Sequence, residues 1–164
     1  MRFVIVTGVS GAGKTAALKM LEDMNYFCVD NLPIQLLEKF ASLLPEMQGE
    51  NVRNVELGID ARSGSALDEL EVVLDRMKNT GYEYEILFMD AEDSVLVKRY
   101  KESRRSHPLA RTGRIDEGIR LEREKTKFLR RRADYIIDTS HLLTRELRQE
   151  IERIFVDDRE FSNI

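Results

Sequence analysis

Two hydrophobic patterns alternate along the chain. Short, largely apolar runs occupy residues 3–7, 26–29, 52–59, 85–89 and 135–137. Runs of that length and β-rich composition suit parallel strands buried on both faces. Between them, apolar residues recur at helical spacing. Leu18, Leu21 and Met24 form one such face, Leu67, Leu70, Leu74 and Met77 another, and Leu143, Leu147, Ile151 and Ile154 a third. Further helices are expected from Pro33 to about Leu44, over 94–102 and over 115–132. Pro33 suits a first helical turn and Pro45 marks the expected stop. Residues 103–114, with His107-Pro108 and Gly113, read as a loop. Strand and helix in alternation predict an α/β fold, a mostly parallel five-stranded sheet flanked by helices. No internal repeat or low-complexity tract interrupts the pattern.

Polar residues gather just beyond the strands: Gly8–Thr15, Asp30, Asp60, Asp90 and Asp138-Thr139-Ser140. In open α/β sheets ligands bind outside the carboxyl ends of the strands, so one functional edge is expected there.

The first of these clusters, Gly8-Val9-Ser10-Gly11-Ala12-Gly13-Lys14-Thr15, reads G-x-x-x-x-G-K-[ST] between an apolar strand and a helix. This is the Walker A pattern in its required context. The glycines free the backbone to turn N–H groups inward onto phosphate oxygens, and the helix adds its positive end. Lys14 is expected to reach the β- and γ-phosphates, and the Thr15 hydroxyl to ligate Mg2+.

Such a loop needs a second acid after an apolar strand. Asp60 and Asp90 both qualify, with Asp60 preferred because the third strand usually lies beside the first in small kinases of this kind. Arg62 could pair with a phosphate in bidentate fashion. Asp30-Asn31 could face a substrate or simply start a helix.

Charge is unevenly spread. Residues 1–97 hold 8 Lys/Arg and 17 Asp/Glu, whereas residues 98–132 hold 14 Lys/Arg and 5 Asp/Glu. The basic block has three readings: a lid of arginines (Arg99, Arg104, Arg105, Arg111 or Arg114) over a triphosphate, a nucleic-acid footprint, or a solvated helix face. The lid is favoured for 104–108, and the solvated or partner-binding face for Arg130-Arg131-Arg132. No aromatic residues are interleaved to stack bases. His107 and His141 lack partners at ligand spacing, so neither predicts a metal site. Cys28 is the only cysteine, which excludes an internal disulfide and agrees with a cytoplasmic location. No apolar run approaches the roughly 20 residues of a membrane span. The first strand begins directly after Met1-Arg2, leaving no room for a signal peptide.

The chain resembles the RapZ/YvcJ family of nucleotide-binding proteins, the RNase adapter proteins. The resemblance is carried by Gly8–Thr15, residues 21–24, Cys28-Val29-Asp30-Asn31-Leu32-Pro33, Asp60-Ala61-Arg62-Ser63, residues 88–91, Arg104-Arg105-Ser106-His107-Pro108-Leu109 and Ile137-Asp138-Thr139-Ser140. It implies an adenylate-kinase-like domain that binds and hydrolyses ATP or GTP. ATP would lie on Gly8, Val9, Ser10, Gly11, Ala12, Gly13, Lys14 and Thr15, and GTP on Asp60, Ala61, Arg62 and Ser63. Family members run to nearly twice this length. Residues 1–156 are therefore expected to form the nucleotide-binding domain and 157–164 to begin a linker to a second domain.

The expected function is a regulatory NTPase domain that uses Mg2+ and turns over ATP or GTP slowly. Lys14, Asp60, Arg104 and Arg105 are its candidate catalytic groups, and Thr15 and Asp60 its metal ligands. A protein or RNA partner would meet the 98–132 segment or the second domain; no membrane partner is expected, and an oligomer is allowed. The rival expectations are a small-molecule kinase of the adenylate or shikimate kinase type and a non-catalytic nucleotide sensor or RNA-binding module.

Overall fold

The two central strands form because their sequences leave no face for solvent. In β1 (Arg2–Gly8) everything after Arg2 is buried, and in β4 (Glu85–Asp90) everything after Glu85 is. Strands so covered belong in the middle of a sheet with helices on both faces. The computed structural model describes residues 2–47, 54–59, 66–103 and 114–156. With β2 (Tyr26–Asp30), β3 (Asn54–Gly58) and β5 (Tyr135–Asp138), the two central strands make a five-stranded sheet in the order β2-β3-β1-β4-β5. Every pairing is parallel. β3 lies beside β1, with Ile5 opposite Leu57 and Val6 opposite Gly58.

Parallel neighbours need crossovers, and helices supply them. α1 (Lys14–Asp23) packs against α6 (Thr144–Phe155) and against β1, β2 and β3. A 3₁₀ turn (Ile34–Leu36), α2 (Leu37–Met47), α3 (Ala66–Thr80) and α5 (Ile115–Arg132) form a second group of packed elements, and α4 (Asp93–Ser103) rests on α5. α5 and its strand β5 fall where the hydrophobic pattern puts them.

One helix end differs from expectation. Pro45 lies inside α2 instead of stopping it. The ring sits in the last turn, so it removes only the bond to Ala41, while buried Leu37, Ala41 and Leu44 hold the apolar stripe to the core.

The amino ends of the strands are closed by aromatic packing. Tyr26 and Tyr135 stand edge-on to Phe155, and the Arg2 guanidinium lies 4.9 Å from that ring's centre. Arg2 also donates to both oxygens of Glu85 at 2.7 and 2.9 Å and to the Ile154 carbonyl at 2.8 Å. Among the described residues no helix is long and apolar enough to cross a membrane.

Candidate functional site

The candidate site residues that the structure describes gather at the carboxyl edge of the sheet. β1 ends at Gly8, whose φ of 145° and close approach to β4 exclude a side chain: a Cβ there would fall 2.2 Å from the Met89 carbonyl oxygen. The Val9 N–H donates to that same oxygen at 3.1 Å, so the loop leaves the sheet pinned to β4. Gly13, in the left-handed region at φ 103°, turns the chain into α1. The first turn of α1 contains no acidic residue and no side chain caps it. Its N–H groups and positive end therefore face the loop without an internal anion from the helix itself.

Three elements hold the loop. Arg99 on α4 donates to the Gly11 carbonyl at 2.9 Å and to the Thr139 carbonyl at 2.8 Å. The buried Thr139 hydroxyl, just past β5, donates to the Ala12 carbonyl at 2.7 Å. These bonds occupy the Gly11 and Ala12 carbonyls and fix the loop's backbone between α4 and the end of β5. Arg99 thus holds the loop's carbonyl side, where the sequence suggested a lid residue. The third strap is Glu122 on α5. Its carboxylate accepts from the Ser10 N–H at 2.6 Å and from the Ser10 hydroxyl at 2.5 Å. Glu122 is fully buried.

Lys14, the invariant cation of the pattern, extends toward the end of β3, with Nζ 3.4 Å from the Ile59 carbonyl oxygen. Thr15 is exposed at the second position of α1. Asp60, Ala61, Arg62 and Ser63 follow Ile59 directly in sequence and lie outside the described residues, as do Arg104, Arg105, His107 and Arg111. Arg114 pairs with Asp116 at 3.4 Å, and His141 lies 3.8 Å from Glu92 on an exposed surface.

The alternative acid, Asp90, is fully engaged elsewhere. Its Oδ1 accepts from Arg123 at 2.9 Å and from the Ala91 N–H at 2.8 Å, and its Oδ2 accepts from Arg130 at 3.1 Å. Arg123 also donates to Asp93 at 2.6 Å and to the Ala91 carbonyl at 2.6 Å. Burial alone lowers the Arg123 pKa, but Asp90 and Asp93 raise it overall. Asp90 therefore joins α5 to the end of β4. Of the Arg130-Arg131-Arg132 run, expected to be a solvated or partner-binding face, Arg130 and Arg131 are exposed, with Arg130 also holding Asp90, and the half-buried Arg132 pairs with Asp75 and Glu71.

On the β2–β3 side, the Asp30 carboxylate folds over the bare Gly58, where a Cβ would fall 2.4 Å from Asp30 Oδ1. Two residues deeper, Glu56 is fully buried, and neither oxygen finds a hydrogen-bond partner of good geometry. Burial, helped by the charges of Glu22 and Asp30, pushes its pKa up to about 8, against a smaller lowering by the neighbouring Cys28 thiol. Burial and Glu56 in turn push Cys28 up to about 12.

Sequence reasoning missed Glu122 and Glu56. A signal existed for Glu122, which shares the spacing of buried Ile119, Thr126 and Leu129 on α5; Glu56, in a strand that also carries Asn54, had none in its own pattern.

Residues 1–159 match the model of the RapZ-like N-terminal domain. The chain is 62% identical over 163 residues to a protein of Lachnoclostridium phytofermentans named nucleotide-binding protein, covering 99% of this chain and 57% of that one. A protein of the same name from Agathobacter rectalis is 57% identical over 164 residues, covering all of this chain and 56% of its own length. The chain thus spans little more than half the length of the curated relatives it matches. Among solved structures, shikimate kinase from Acinetobacter baumannii superposes with a TM-score of 0.60 at 18% identity, covering 94% of this chain and 92% of that one. The tunicamycin resistance protein of Deinococcus radiodurans gives 0.61 at 12% identity, over 96% and 98%. These likenesses show that the chain shares the α/β fold of shikimate kinase. By the family match and the level of identity together, the chain belongs to the RapZ-like N-terminal domain family.

Proposed function

We propose that this domain binds a nucleoside triphosphate, ATP or GTP, with Mg2+ and hydrolyses it slowly as a regulatory NTPase. The observation that carries the reading is the Gly8–Thr15 loop, its Gly11 and Ala12 carbonyls fixed by Arg99 and Thr139 and its end running into the uncapped, acid-free start of α1. A loop held this way needs little rearrangement to receive a polyphosphate, which is where electrostatic stabilisation comes from. The relatives' shared description as nucleotide-binding proteins supports the same reading.

Lys14 brings a positive charge to the transferring phosphoryl group. The Thr15 hydroxyl, exposed and without a hydrogen-bond partner among the described residues, suits a hard oxygen-preferring cation. Mg2+ bound there would neutralise charge shared between the β- and γ-phosphate oxygens. Asp60, next in sequence after Ile59, whose carbonyl Lys14 Nζ approaches, is proposed as the second acid. Arg104 and Arg105 are proposed to complete the charge shell, and Asp60–Ser63 to contribute to GTP binding. Cytoplasmic location, the linker role of 157–164, and a protein or RNA partner of the whole protein are parts of the same proposal.

A small-molecule kinase is the second reading. One observation favours it: the Asp30 carboxylate is exposed over Gly58 at the carboxyl edge, placed to accept a hydrogen bond from an acceptor hydroxyl. Phosphate release from Mg·ATP and Mg·GTP separates the two, measured with and without nucleoside monophosphates, sugars and sugar phosphates. Slow release that is abolished by Lys14→Ala and ignores every acceptor is the expected result. Transfer to one acceptor far faster than hydrolysis overturns the NTPase reading in favour of the kinase.

A further inference from the structure

A buried acid on an anion-binding loop calls for an explanation. Glu122 belongs to α5, more than a hundred residues from the loop, yet both its oxygens are committed to Ser10 at 2.5 and 2.6 Å. The contact uses a backbone N–H of the Gly8–Thr15 loop and the one hydroxyl in its N-terminal half. These are donors of the kind that phosphate oxygens seek. Around Glu122 the helix is tied to the same edge, since Arg123 and Arg130 hold Asp90 at the end of β4. The exposed side of α5 carries Arg120, Lys125, Lys127 and Arg131.

The geometry points to Glu122 as an internal anion that competes with a bound polyphosphate for the phosphate loop and so couples nucleotide occupancy to the seating of helix α5. The inference rests on the nucleotide-binding reading above. Like charges a few ångströms apart in a partly desolvated site repel strongly. A triphosphate in the cradle therefore weakens the Glu122–Ser10 pair, and by linkage the pair weakens triphosphate binding by the same factor. The seating of α5 then reports the ligand to its basic outer face, a surface that the loop itself does not reach.

The test is nucleotide titration of the full chain and its Glu122→Gln variant, with Mg·ATP and with Mg·GTP. Glutamine keeps the shape and can still pair with Ser10, so the fold is retained and only the charge is lost. Binding tighter by about tenfold in E122Q is expected, since a like charge at this range is worth roughly that factor. Equal or weaker binding by a variant with an unchanged unfolding midpoint overturns the latch and leaves the nucleotide-binding reading standing. Failure of both proteins to bind overturns that reading and the latch together. Hydrogen exchange on the unaltered chain supplies a second readout that needs no variant. Amides of Ile119–Arg123 should exchange faster when Mg·ATP is added, and unchanged or slower exchange there contradicts the coupling.

Discussion

Glu56 is a carboxyl group in a place that disfavours charge. It stands on β3 among apolar side chains, opposite Cys28 on β2 and Val4 on β1, with Glu22 on α1 and Asp30 at the end of β2 adding negative potential. A raised pKa means that the native state holds a proton which the unfolded chain has already lost. Stability from this group is complete below its ordinary value near 4.5 and is lost as pH rises through about 8. Urea unfolding of the wild type and Glu56→Gln across pH 4 to 9 reads this directly. The wild type should lose stability relative to the variant as pH rises, and parallel curves would mean that Glu56 ionises without penalty. Nothing in strand pattern alone distinguishes such an acid from one that turns outward. Glu56 could be recognised as buried only once β3 was known to lie between β1 and β2.

At the scale of elements, the strap on the loop's carbonyl side makes a sharper claim. Arg99 is one residue of α4, but it joins the loop carbonyl of Gly11 to the β5 end at Thr139. Arg99→Ala leaves those carbonyls to find water or stay unpaired, at a cost of about 1–3 kcal/mol. Both the unfolding midpoint and nucleotide affinity should fall. Arg99→Lys should restore little of either, because a point ammonium cannot span two carbonyls as the planar guanidinium does. Full stability with normal affinity in Arg99→Ala would show that the strap is incidental.

The same elements show what the sequence made legible. The five strands and the helix over 115–132 could be read because period and composition are local properties, and β3 beside β1 followed from the phosphate-loop pattern. The roles of Asp90 and Glu122 could not, because each depends on which helix crosses which strand end. Asp90 qualified as the less preferred metal acid, since an aspartate after an apolar strand fits that part; two arginines 33 and 40 positions further along the chain engage it as a joint. Pro45 misled for a different reason, as a proline in a last turn costs only one helical bond when the turn is already packed.

For the molecule as a whole, the two edges of the sheet divide the work. The amino edge is closed by Phe155, Tyr26, Tyr135 and Arg2, while the carboxyl edge gathers the loop, Lys14, Thr15, Thr139, Arg99 and Asp30. The proposed nucleotide site thus lies on one side of the sheet, with α5 joined to that edge through Glu122 and Asp90. Calorimetric titration of Mg·ATP and Mg·GTP into the wild type and Lys14→Ala bears on this most directly. One equivalent should bind the wild type, and loss of the Lys14 charge should weaken it by roughly ten- to a hundredfold, the worth of a charge-assisted hydrogen bond of about 1.5–3 kcal/mol. Undiminished binding by Lys14→Ala, or no binding by the wild type, would contradict the assignment of this edge as a nucleotide site.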